Sequence, residues 1–172
     1  MLLFGLARDT GFFRHVAENN GFVFQAVARL VDKGASPRKV YRMIHSGWEL
    51  AKAKLLALSI QRVERAFGGR VLLTFQTLAD LRSLGSIAAR GSDEVYRILQ
   101  AVEDVEVVAF IQEEENRRCS VGLRSNGRCD VGSLAGSMGG GGHTLAAGYT
   151  VPGSIAATRK NLLQVLKPVL GV

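Results

Sequence analysis

Four consecutive glycines, Gly139, Gly140, Gly141 and Gly142, run directly into His143. Such a run costs backbone entropy and buries no side chain, so it implies either positive φ or a ligand pressed against the main chain. A phosphate meets both conditions. Successive N–H groups turned inward form an anion nest, and the neighbouring imidazole can donate a hydrogen bond or a positive charge to a phosphoryl oxygen. A flexible linker would share the composition, but the apolar Leu145, Ala146 and Ala147 follow without a spacer. The run is neither GxGxxG nor GxxxxGKS/T, which sets aside a Rossmann or P-loop reading.

Arg124 and Ser125 end an alternating segment just before an Asn126-Gly127 turn. From a strand end, a guanidinium fork can take a phosphate bidentately; a solvated arginine is the alternative. Asp9 precedes Thr10 and Gly11 and is a candidate ligand for a hard cation, which prefers carboxylate oxygens; the alternative is an ordinary Asx-turn residue. A catalytic metal needs several converging ligands, and three histidines with no clustered His and Asp spacing do not supply them. GxSxG, HExxH and zinc-type CxxC pairs are all absent.

These residues need elements to hold them. Met1 to Ala7 reads as a short buried strand delivering Asp9 to a sheet edge, with the turn at Asp9, Thr10 and Gly11. Phe22, Val23, Ala26, Val27, Leu30 and Val31 recur at helical spacing up to Gly34, and Ser36 caps a second helix with Pro37 in its first turn. Ala53, Leu56, Ile60, Val63 and Phe67 mark a long amphipathic helix. A strand over Arg70 to Phe75 follows, then a helix from Thr77 to Leu84 and another starting at Ser92, with Val95, Ile98, Leu99 and Val102 inward.

Val105 to Gln112 and Arg117 to Ser125 form a hairpin around a polar turn, with Cys119, Val121 and Leu123 on one face and Ser120, Gly122 and Arg124 on the other. A helix from Val131 to Met138 leads into the glycines. Ala147 to Val151 is one more strand, and Ser154 caps a final helix carrying Leu162, Leu163, Val165 and Leu166. Strands and helices alternate without repeats, so both halves read as α/β.

At 172 residues and 47% hydrophobic the chain can build a real core, and a net charge of +7 favours a polyanionic partner over an acidic receptor. No segment has the length of a signal or transmembrane stretch. Two cysteines without CxxC spacing, Cys119 and Cys129, read as reduced thiols, which implies a cytoplasmic protein without a membrane role.

Taken together, GLARDTGFF over Gly5–Phe13, VGLRS over Val121–Ser125 and GGGGHTLAAG over Gly139–Gly148 resemble the DHH phosphoesterases, specifically the RecJ-like branch of oligoribonucleases and pAp phosphatases. The glycine motif followed by AAG is similar to the hallmark of the accessory DHHA1 domain. The resemblance implies an α/β fold in which the end of a DHH catalytic domain (1–50) and a connecting helix (51–68) precede a DHHA1 domain (69–172) with a mixed β-sheet flanked by helices. It implies that Asp9 belongs to the last metal-binding motif, that Arg124 and Ser125 grip substrate phosphate or sugar, and that Gly139 to His143 hold the phosphate.

The family's chemistry would be a pair of Mn²⁺ ions activating water against a phosphate ester, with short single-stranded RNA or DNA or nucleoside phosphates as substrates. Its DxD pair, separate Asp and Asp-His-His run have no counterpart before Asp9, and Arg8 stands where a small polar residue is usual. The resulting expectation is the C-terminal portion of a Mn²⁺-dependent phosphoesterase, competent to bind but inactive alone and holding its metal poorly. A related module ends some alanyl-tRNA synthetases, so an RNA- or tRNA-binding module without hydrolysis is the alternative. Self-association through an exposed sheet edge is a further expectation.

Overall fold

The computed structural model describes residues 1–84 and 93–171, which divide into two compact units, Met1–Trp48 and Glu49–Val172. The elements of the first unit are helices: α1 (Leu2–Asp9), α2 (Phe22–Asp32) and α3 (Pro37–His45). The strand expected over Met1 to Ala7 is therefore a helix. A short apolar run does not distinguish the two by periodicity, and this one, rich in leucine, has no β-branched residue. Its buried residues, Leu3 and Ala7, are spaced i, i+4 and pack with Val40 of α3.

The second unit opens with α4 (Leu50–Gln61). The amphipathic pattern predicted this helix through Phe67, but the chain leaves it six residues earlier, because Glu64–Ala66 (β1) pairs antiparallel with Val71–Gln76 (β2). Gly68 and Gly69, at φ 68° and 99°, make the tight connection that β-carbon-bearing residues rarely adopt. After β2 come α5 (Leu78–Ser83), started by a capping box between Thr77 and Asp80, and α6 (Asp93–Leu99). The helix start expected at Ser92 lies outside the described residues, and Val102, expected inward, is 41% exposed.

β3 (Val107–Glu114) and β4 (Arg118–Ser125) form the expected hairpin. α7 (Val131–Ser137), β5 (Gly141–His143), β6 (Ala146–Pro152) and α8 (Ile155–Leu170) complete the unit. The strands form one mixed sheet in the order β1-β2-β3-β4-β6-β5, with β2 and β3 parallel. β5 was expected as loop; glycine's weak strand preference hides it, and only pairing with β6 makes it a strand.

One face of the sheet is closed by α7 and α8, whose Val131, Leu134, Leu162 and Leu166 pack on Val121, Leu123, Ala147 and Tyr149. On the other face α4 and α6 cover β2 and β3 through Leu56, Ile60, Val95, Leu99, Leu72, Val108 and Phe110. Among the described residues no hydrophobic cluster continues on this face over β4 and β6. The free thiols Cys119 and Cys129 are buried, and burial pushes both thiols up in pKa. No helix of the described residues is long and apolar enough to cross a membrane.

Candidate functional site

The uncovered half of the sheet carries a cleft of about 530 Å³. Strand alternation explains its chemistry: where Cys119, Val121 and Leu123 of β4 enter the core, Arg118, Ser120, Gly122 and Arg124 face the cleft. β6 repeats the pattern, turning Ala147 and Tyr149 to the core while Gly148 and Thr150 line the cleft. Gln112 of β3, Tyr96 of α6, Gly139 and Gly140 also line it, as do Val121 and Tyr149.

The floor is nearly bare backbone. Gly122 is in register with Gly148, and Gly148 with Gly141, so three neighbouring strands present a row without side chains. At Gly122 the reason is close approach, since a β-carbon there would lie 2.0 Å from the Tyr96 hydroxyl. Tyr96 is 5% exposed, sits edge-on against Phe110, and carries the Arg124 guanidinium over its ring at 4.3 Å from the centroid. Arg124 also donates to the Leu123 carbonyl at 2.9 Å. Stacking plus one backbone hydrogen bond pre-orients the guanidinium and leaves its remaining N–H groups for a ligand. Burial, against the opposing influence of Arg124, pushes the Tyr96 hydroxyl up to about 12, so it is a neutral group at ordinary pH.

The glycine run has a different local logic from the one its composition predicts. Gly139, at φ 78°, is the left-handed residue after α7; its N–H donates to Gly136 O at 3.1 Å and that of Gly140 to Ala135 O at 2.9 Å. These two amides cap the helix and are not turned to a ligand. At Gly140 a β-carbon would lie 2.2 Å from Gly148 O, and at Gly142 2.5 Å from Ala146 O. The glycines thus let β5 lie hard against β6 at the sheet edge.

Of the residues singled out from sequence, the structure brings Arg124, Gly139 and Gly140 to the cleft; Gly141, Gly142 and His143 are exposed on β5 and do not line it. Ser125 ends β4 and braces the turn that follows: it is 3% exposed, and its Oγ accepts from Gly127 N and Cys129 N, both at 3.2 Å. Its strand register turns it into the core, opposite to Arg124.

Asp9 is exposed at the end of α1, in the other unit. The helix replaces the strand end that was to deliver it to a sheet. Beyond α1, Thr10 Oγ1 donates to Leu6 O at 2.7 Å and accepts from Phe13 N at 3.1 Å, which closes the turn. Among the described residues no three His, Cys, Asp or Glu side chains converge to hold a metal ion. The donors of the described residues do not fit a two-ion centre.

Arg118, Gln112, Tyr96 and Thr150 escaped the sequence reading, and Ser120 was placed on the face of Arg124 without being read as a site residue. For Arg118 and Ser120 the signal was there, because stepping back by twos from Arg124 reaches both; Tyr96 and Gln112 come from elements whose position only the tertiary fold determines. Arg118 and Arg124 stand six residues apart on one strand, roughly 20 Å at the usual rise. The cleft is thus an elongated, flat-floored surface with a cation at each end and hydroxyls between, suited to an extended anion.

The chain is 25% identical over 167 residues to the A-adding tRNA nucleotidyltransferase of Aquifex aeolicus (strain VF5), a match that covers 95% of this chain and 19% of that protein. Among solved structures, an exopolyphosphatase-related protein from Bacteroides fragilis superposes with a TM-score of 0.83 at 21% identity, covering 97% of this chain and 49% of its own. A pGpG-specific phosphodiesterase from Vibrio cholerae superposes with a TM-score of 0.54 at 13% identity, covering 86% and 51%. These two likenesses show the fold. The chain spans about a fifth of the curated relative and about half of each structural one. Residues 68–171 match the DHHA1 domain, and the chain belongs to that family.

Proposed function

We propose that this chain is the nucleotide-binding part of a DHH-type phosphoesterase, in which the cleft on β4 and β6 holds a short oligonucleotide or nucleoside phosphate. The observation that carries this reading is the Arg124 guanidinium stacked on Tyr96 beside a side-chain-free glycine floor. Such a floor admits a flat or extended ligand against the backbone, and a pre-oriented guanidinium takes a phosphate bidentately. The exopolyphosphatase-related and pGpG phosphodiesterase relatives support the phosphate-ester assignment. On this reading residues 1–50 are the end of a DHH domain, Asp9 is a residue of its metal motif, and Mn²⁺ is the ion of the complete enzyme.

Binding and cleavage separate here. The described residues do not compose a two-ion centre, so hydrolysis of a dinucleotide with Mn²⁺ should be no faster than in an Asp9→Ala control. Affinity for short single strands should fall with salt, because phosphate contacts release counterions. Arg124→Ala should weaken anisotropy-detected binding of a labelled dinucleotide on the order of tenfold, the loss expected for one charge-assisted contact. His143→Ala should cost less, since the imidazole stands off the cleft. If Arg124→Ala and His143→Ala both titrate like the parent, the proposed site is wrong. The likeness to a tRNA nucleotidyltransferase favours a second reading, a tRNA-contacting module without hydrolysis; preference for folded tRNA over dinucleotides would select it.

A further inference from the structure

Gln112 opens into the cleft from β3, and a buried chain of hydrogen bonds lies behind it. Its Nε2 donates to Gln76 Oε1 at 3.1 Å, Gln76 Nε2 donates to Ser59 Oγ at 2.9 Å, and Ser59 Oγ donates to Leu55 O at 2.8 Å. Thr74 Oγ1 donates to the Ser59 carbonyl. Gln76 is 1% exposed, and Ser59 and Thr74 are fully buried. Every link in this relay has a direction. The Ser59 proton is given to the helix carbonyl of Leu55, so its oxygen accepts from Gln76. The Gln76 carbonyl in turn receives the Gln112 amide.

An amide carries its oxygen on the side away from its nitrogen. With Nε2 held toward the buried Gln76, the Gln112 oxygen is directed away from it, into the cleft. Turning the amide over would set two carbonyl oxygens against each other and leave the buried Gln76 oxygen unsatisfied. The relay therefore presents an oriented acceptor in a cleft whose charged groups, Arg118 and Arg124, are donors. A phosphate has no use for an acceptor. A nucleobase with an exposed N–H does.

We infer that Gln112 reads the base of the bound nucleotide by accepting a hydrogen bond from its exocyclic amino group, with Gln76 as the positioning residue. This rests on the nucleotide reading given above. Gln112 is in register with Ser120, four residues from Arg124 on β4, or roughly 13 Å along the strand before the two side chains close the gap. A single nucleotide bridges that space with its phosphate on the guanidinium and its base directed to β3. Buried, pre-organised polar groups discriminate strongly because the wrong ligand leaves them unpaired.

The test compares pApA with its analogue carrying purine in place of both adenines, which lacks the amino group and any other N–H on that edge. Calorimetric titration of the parent should favour pApA by about three- to tenfold, the range of one net hydrogen bond. Gln112→Met should bring the ratio to one. Gln76→Met leaves Gln112 in place but frees its amide to turn, so the ratio should fall without loss of the Arg124-dependent binding. A purely structural role would not move that ratio.

Equal affinity of the parent for the two ligands overturns the inference and leaves the phosphate site standing. No binding of either overturns both. The parent comparison needs no variant to fold, and a Gln76→Met protein that folds by circular dichroism and keeps the full preference would remove the positioning role.

Discussion

The two faces of β4 and β6 share a backbone and a register, yet one is a core and the other a site. On the first, Val121 and Leu123 are buried under α7 and α8. On the second, one residue over at each step, Ser120, Gly122 and Arg124 are half-buried and line a polar cleft. The period-two alternation that makes a strand amphipathic has here divided structure from binding, so substitutions at adjacent positions should separate loss of fold from loss of ligand. Leu123→Ala should give the largest effect. Leu123 is fully buried, and truncating such a residue costs about 2–5 kcal/mol. Denaturant titration should show that loss, with binding per folded molecule unchanged; a selective loss of ligand at unchanged stability would erase the distinction between the faces.

Gly122→Ala comes next and tests the other side of the same strand. The added methyl would meet the Tyr96 hydroxyl at 2.0 Å, and Tyr96 has little freedom to retreat because Phe110 backs it. Overpacking of this kind costs about 1–3 kcal/mol, and displacing the ring also displaces the guanidinium stacked on it. Stability and dinucleotide affinity should therefore fall together. Tyr96→Phe removes the clashing oxygen, so in the Gly122→Ala background it should restore part of both, a coupling that a double-mutant cycle would measure. Additive effects of the two substitutions would contradict the proposed contact.

The same alternation decides what could be read from the sequence. The β3–β4 hairpin, the Ser36 and Ser154 helix caps, and the placement of Ser120, Gly122 and Arg124 opposite Cys119, Val121 and Leu123 are local, and the structure shows each of them. Long-range pairing was not legible. β1 is pulled from a helix-like pattern by β2, and β5 is a strand only through its pairing with β6. The glycine run was the strongest local signal. Part of its cause is packing, with two amides spent on the end of α7 and two positions too close to β6 for a β-carbon. Asp9 was misplaced for a similar reason: a short leucine-rich run carries no period that separates strand from helix. The cleft draws Tyr96 and Gln112 from different elements, and no spacing in one segment announces such a convergence.

Tyrosines on the two faces offer the smallest and most specific comparison. Tyr149 projects from β6 into the core, 5% exposed, and its hydroxyl has no hydrogen-bond partner among the described residues. Burial pushes it up to about 12, as it does Tyr96 across the sheet. A raised pKa means that the folded state keeps its proton where the unfolded chain, near 10, has lost it. The associated stability is complete below about pH 10 and is lost as the pH rises toward about 12. Tyr149→Phe removes an unpaired buried oxygen, so at neutral pH it should leave stability unchanged or raise it by up to about 1 kcal/mol. Between pH 10 and 12 its advantage over the parent should widen, because the parent must bury or eject a phenolate and the variant has none. Thermal melts across that range would check both parts. A variant clearly less stable than the parent at pH 7 would mean that the hydroxyl has a partner and that this face, too, carries a satisfied polar group.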